Sequence, residues 1–179
     1  MSGNIRAIES KKIIELSGSI TREANTTAYV ANDVIADDTG DELIHCTTTR
    51  EVAAASGAII QARLKSDHFA ATAPALNLYV FRIEPTKIAD NAAINLADVD
   101  LNGLVGIIPV AETDWVPGDP TSGAGGNQIA VVNLDPEIPT IINRESDVPT
   151  LWVMPVCTAG YTPAANAETF TLSLAIRLN

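Results

Sequence analysis

Histidine, cysteine, aromatic side chains and positive charge are all scarce in this chain of 179 residues. The two cysteines, Cys46 and Cys157, lie too far apart to form a disulfide framework or a metal knuckle, so they read as free, buried thiols. The two histidines, His45 and His68, belong to no recognisable catalytic spacing, and the Gly-x-Ser-x-Gly elbow is missing. A triad assembled in space is not excluded by spacing alone. Aromatics make up 4% of the chain and are not interleaved with basic residues, which argues against a base-stacking platform. Eleven Lys and Arg stand against 22 Asp and Glu, a formal charge of −11 that repels phosphate backbones and anionic lipid. Direct nucleic-acid and membrane partners are therefore not expected.

Long apolar runs are also lacking. The longest uncharged stretch, 148–167, is broken by Pro149, Pro155 and Pro163 and is too polar for a spanning helix. The first residues carry no secretory apolar core, so the protein is expected to stay in the cytoplasm where it is made. Helix signals are few. The alanine-containing window 50–56 precedes Gly57 and reads as a turn or a single helical turn, and in 92–99 either Asn95 or Asp98 can cap a turn.

Period-two alternation is abundant. Phe170, Leu172, Leu174, Ile176 and Leu178 alternate with polar or small residues, as do Ile14, Leu16, Gly18 and Ile20, and then Ile60, Ala62 and Leu64. Each describes a half-buried strand. Further strands are expected over 28–35, 43–48, 76–83, 106–110, 128–134 and 151–157, rich in β-branched or aromatic residues and bounded by turn residues. Turn chemistry recurs at 37–40, 117–120, 122–126 and 158–160. Short strands, Gly/Pro turns and no βαβ rhythm predict an all-β fold, an antiparallel β-sandwich of jelly-roll-like kind with little helix. The polar segment 1–12 lacks periodicity and reads as an N-terminal arm on a single domain, 13–179.

Candidate sites are weak. Cys46 beside His45 suggests a thiol and its base, but neighbours on a strand point to opposite faces and should diverge. Twenty-two acids supply no specific carboxylate pair. Asp98, Asp100, Asn102 and Gly103 match the first half of a calcium loop. The closing glutamate would fall at Pro109, so an Asx-type turn is favoured. The glycine-rich 122–126 lacks the Gly-Lys-Ser/Thr ending of a phosphate loop and reads as an exposed loop. Trp115 falls in a loop-like run and offers a stacking or anchoring surface, whereas Trp152 reads as core. No catalytic, cofactor-binding or metal-binding residue is assigned, no cofactor is implied, and no enzymatic activity is expected.

Three stretches together carry a resemblance. They are Thr27-Ala28-Tyr29-Val30-Ala31-Asn32-Asp33-Val34-Ile35; Leu76-Asn77-Leu78-Tyr79-Val80-Phe81, running through Pro85 and Ala89-Asp90-Asn91-Ala92-Ala93 to Leu96-Ala97-Asp98-Val99-Asp100; and Leu151-Trp152-Val153-Met154-Pro155-Val156 before the final alternating strand. This arrangement resembles virion structural proteins of tailed bacteriophages and prophages, of the capsid decoration (cement) or head-accessory kind. The resemblance implies a β-sandwich on the capsid exterior that binds the major capsid protein as a symmetric oligomer, with a trimer favoured. It brings no catalytic residue with it, and in it Asp98 and Asp100 match a turn. The arm, 1–12, is expected to contact the major capsid protein. Two other readings stand beside it. One is a carbohydrate- or receptor-binding module of a tail or fibre, with Trp115, Asp114 and Asp119 lining a sugar site. The other is a β-sandwich hydrolase with His45 or His68 as base.

Overall fold

The alternation read in the sequence becomes the two faces of one antiparallel sheet in the computed structural model, which describes residues 12–37, 42–48, 56–68, 72–118, 126–141, 143–145, 148–163 and 167–179. The strands are β1 (Ile13–Thr21), β2 (Ile44–Thr47), β3 (Ser56–Ser66), β4 (Leu76–Phe81), β5 (Leu104–Val110), β6 (Trp115–Pro117), β7 (Gln128–Ile141), β8 (Asn143–Glu145), β9 (Val148–Cys157) and β10 (Thr169–Leu178). Among the described residues helix is limited to one α turn, α1 (Asp98–Leu101), and a 3₁₀ turn at Glu112–Asp114. The ladder runs β5-β4-β9-β2-β1-β10-β3-β7-β6, with β8 paired to β9, and every pairing is antiparallel.

The sheet is curled so that its inner faces share one core. Ile14, Leu16 and Ile20 of β1 meet Leu172, Leu174 and Ile176 of β10, Leu64 of β3, Leu78 and Val80 of β4, Ile108 of β5, and Leu151 and Val153 of β9. Each such aliphatic side chain stabilises the fold by about 1.5–3 kcal/mol on burial. Close approach of strands selects glycine at the tightest crossing: a Cβ on Gly18 would lie 2.2 Å from the His45 carbonyl oxygen. The two ends of the ladder meet along a seam without a hydrogen-bonded ladder of its own. There Trp115 Nε1 donates to the Pro74 carbonyl at 2.8 Å, and Ile138 of β7 packs so closely on Gly106 of β5 that a Cβ would lie 2.9 Å from it.

β9 is buried on both faces. Leu151, Val153 and Cys157 face the main core, while Trp152, Met154 and Val156 form a second cluster with Val34, Ala36, Leu43 and Phe81. That second cluster explains one correction. Residues 28–35 do not form a strand; they make isolated bridges, Tyr29 to Tyr161, Asp33 to Ala93 and Val34 to Val156. Asn32 takes a positive φ of 75°, and Asp33 Oδ2 accepts the Val30 N–H at 2.7 Å, so the chain turns and lays Val34 and Ala36 over β9. Its apolarity reflects burial rather than a ladder.

Boundaries shift elsewhere. β4 ends at Phe81, β5 starts at Leu104, and β7 runs on to Ile141 through a cis Asp135–Pro136 bond. Of the suggested turn at 50–56, only Ser56 is described, and it begins β3. The arm, 1–12, lies outside the described residues except for Lys12, whose carbonyl accepts the Leu178 N–H at 2.8 Å.

Candidate interaction surface

The chemistry-bearing residues are dispersed. On β2, Cys46 is fully buried while His45 is exposed, its ring stacked on Trp152 with centroids 4.9 Å apart. The two side chains diverge, as strand geometry requires. His68 Nδ1 lies 2.7 Å from Asp67 Oδ1, and that same oxygen accepts the Thr169 N–H at 2.8 Å, so the pair ties β3 to β10. Both cysteines are free and buried. Burial pushes each thiol up to about 12, and for Cys157 the charges of Asp33 and Asp90 add to the effect.

Asp100 is occupied as a loop staple. Its carboxylate accepts the Thr86 N–H (2.9 Å), the Thr86 hydroxyl (3.1 Å) and the Ala97 N–H (3.0 Å). These bonds tie α1 to the chain leaving β4. Asn102 directs its carbonyl to Arg82 Nη2 at 3.0 Å. Among the described residues no group of three or more His, Cys, Asp and Glu side chains is placed to hold a metal ion.

Trp115 corrects the expectation of an exposed aromatic. It is the first residue of β6, pairs with Ala130, is 8% exposed, and spends its indole N–H on Pro74. Asp114 Oδ2 accepts the Ala111 N–H at 2.8 Å. Asp119 and 122–125 lie outside the described residues. The tryptophan of the sugar-site reading is thus part of the seam.

A buried polar cluster, illegible in the sequence, closes one end of the sheet. Arg22 Nε donates to the Tyr29 hydroxyl at 3.0 Å and its guanidinium to the Asn25 carbonyl. Tyr29 in turn donates to Asp90. Tyr161 donates to Glu168, whose other oxygen meets Ser66 Oγ. Burial pushes the Glu168 carboxyl above its ordinary value, against the opposing pull of the Ser66 and Tyr161 hydroxyls and the Arg22 charge. Arg22, Asp90 and Glu168 stand in polar or mixed segments of the sequence, where they look like surface residues.

The outer surface offers two features. Ile83, Val99 and Leu101 are 54%, 70% and 50% exposed on the segment stapled by Asp100. The chain on either side of this knuckle then enters a groove of about 470 Å³ along the seam, lined by Arg82, Leu104, Val105, Pro139, Thr140 and Asn179 among others. Among the described residues no helix is long and apolar enough to cross a membrane.

No protein-family model and no curated protein matches the chain. Among solved structures it is similar to a family two carbohydrate esterase from Cellvibrio japonicus, at 8% identity and a TM-score of 0.25. The match covers 93% of this chain and 35% of the esterase, so this chain spans about a third of that protein's length. It is also similar to black queen cell virus, at 7% identity and a TM-score of 0.26, over 97% of this chain and 72% of the viral chain. At such scores neither likeness carries a functional argument.

Proposed function

We propose that this protein is a structural component of a tailed-bacteriophage virion that decorates the capsid exterior, binding the major capsid protein as a symmetric oligomer, favoured as a trimer. The observation that carries the reading is the exposed apolar knuckle of Ile83, Val99 and Leu101, on a segment that the Asp100 staple ties to the chain leaving β4. Apolar side chains on a pre-ordered segment lose little conformational entropy on docking, so their burial converts efficiently into affinity. The surrounding charge of −11 favours protein over packaged DNA as the neighbour. The arm, 1–12, adds a second contact to the shell in this reading.

The test is to add purified protein to phage heads assembled without it and measure bound copies by sedimentation. Saturable binding is expected, weakened at least tenfold by Val99→Asp with Leu101→Asp, a loss of about 1.4 kcal/mol or more. Absence of saturable binding by the unaltered protein would overturn the proposal.

A further inference from the structure

Asn102–Gly103 is the one Asn-Gly pair in the chain, and it directly follows Leu101 of the exposed knuckle. Such a pair is chemically labile, because glycine leaves its backbone nitrogen unscreened and free to swing onto the asparagine side chain ahead of it. Packing selects the glycine all the same: a Cβ at 103 would lie 3.3 Å from the Asp100 carbonyl oxygen and 3.4 Å from Ile83 Cβ. Reaction requires the Gly103 nitrogen to turn toward Asn102 Cγ, and three hydrogen bonds oppose that rotation. The Gly103 N–H donates to the Asp100 carbonyl at 2.9 Å, the Arg82 N–H donates to the Gly103 carbonyl at 2.9 Å, and Arg82 Nη2 donates to the Asn102 carbonyl at 3.0 Å. Asn102 itself is helical, with φ −68° and ψ −23°. α1 is a single turn whose N-cap, Ala97, has no capping side chain, so the order of this segment depends on the Asp100 carboxylate and its bonds to Thr86 and Ala97.

We propose that Asn102–Gly103 is a self-modification site, latched while the Asp100 staple is closed and released when it opens, which converts Asn102 into aspartate or isoaspartate and disables the knuckle irreversibly. The Gly103 backbone nitrogen bonds to Asn102 Cγ, its proton and the side-chain amide group leave together as ammonia, and a cyclic succinimide remains. Water then opens the ring. Attack at the side-chain carbonyl gives aspartate, and attack at the main-chain carbonyl gives isoaspartate, whose backbone runs through Cβ. No reagent beyond water is consumed. Either product adds a carboxylate beside Asp98 and Asp100, and isoaspartate also adds a backbone carbon at the end of a helix of 4 residues. The Gly103 bond to Asp100 and the Arg82 bonds then lose their register. Because the reaction starts only from the opened turn, its rate follows the population of that open form.

Peptide mapping by mass spectrometry, on the free full chain in mildly alkaline buffer, tests the idea. In the folded protein Asn102 should convert more slowly than in the same chain in urea, by about tenfold or more. Asp100→Ala, its fold checked by circular dichroism, should speed conversion about tenfold without denaturant. Arg82→Met removes the bond to the Asn102 carbonyl from a partly exposed position and should also speed conversion, which gives a second reading if Asp100→Ala does not fold. Equal rates in the folded and unfolded chains, or folded variants that convert no faster than the unaltered protein, would sink the proposal. The loss of knuckle function rests on the capsid-docking reading, whereas the conversion itself does not. A protein that ages as expected yet never binds heads therefore refutes that reading alone.

Discussion

Asp100 and Glu168 are two buried carboxyls whose folding linkage runs in opposite directions. At Asp100, the Thr86 N–H leads the interactions that hold the carboxyl below its ordinary value of 3.8, outweighing desolvation. Its contribution is therefore present above 3.8 and is lost as the pH falls through the lower folded value. At Glu168, burial raises the folded value above the ordinary 4.5, so its contribution is complete below 4.5 and fades as the pH rises through the folded value. Urea unfolding across pH 3–8 should separate them. Glu168→Gln, which can still accept from Tyr161, should flatten the decline on the alkaline side. Asp100→Ala should cost about 1–3 kcal/mol at neutral pH by stranding the Thr86 and Ala97 donors. Calcium titration of the unaltered protein should give no saturable heat, because the Asp100 oxygens already serve the loop. The thiols give a simpler outcome: Cys46 and Cys157 should resist a thiol reagent in the folded protein and react fully in denaturant. Gln128 offers a gain instead of a loss. Its amide is buried opposite Ser66, and among the described residues neither atom has a hydrogen-bond partner. Gln128→Met keeps the length of the side chain and should stabilise by about 1 kcal/mol in thermal unfolding.

Among the elements, β6 does more than its three residues suggest, because Trp115 latches one end of the ladder to the chain entering β4. Trp115→Phe should lose the indole bond and about 1 kcal/mol, and Trp115→Ala about 3–5 kcal/mol through the cavity it leaves. Gly106→Val forces a side chain onto Ile138 from the other side of the seam and should cost about 1–3 kcal/mol, read in the same urea transitions. The legibility of the elements follows from how each is buried. β1, β3 and β10 bury one face, and their alternation was plain in Ile14 to Ile20, Ala62 to Leu64 and Phe170 to Leu178, whereas in β3 an irregularity between Ile59 and Gln61 puts Ile59 in the core in place of the expected Ile60. Residues 28–35 were misread because Val34 and Ile35 are apolar for a different reason: Val34 covers β9 from outside while Ile35 joins the main core, both without a ladder, and apolarity alone does not distinguish lid from strand. β6 escaped notice because three residues show no period. The same limit hid the site features, since the Asp100 staple depends on Thr86, fourteen residues away, and the seam joins residues that no local spacing relates.

At the scale of the whole molecule, the two apolar clusters are the two faces of one strand, so they should melt together. Trp152 reports on the outer cluster and Trp115 on the seam. Variants that keep one tryptophan at a time, Trp115→Phe and Trp152→Phe, should each show a single urea transition whose fluorescence and circular-dichroism midpoints coincide. A fluorescence change well ahead of the secondary-structure change in the protein that keeps Trp152 would show that the outer cluster opens on its own. β9 carries a further consequence for biosynthesis. Leu151 to Cys157 is an uncharged heptapeptide of high β-propensity, and only its sandwiching keeps both sides from water. On a nascent chain, before β10 exists to complete the sheet, the same heptapeptide is a template for aggregation. Pro155 interrupts it at a point where β2 has already ended, Ile44 being paired with Val153. A proline there removes a donor that an amyloid-like stack would need while leaving the native pairing with Leu78 intact, so it acts as a gatekeeper for solubility during synthesis.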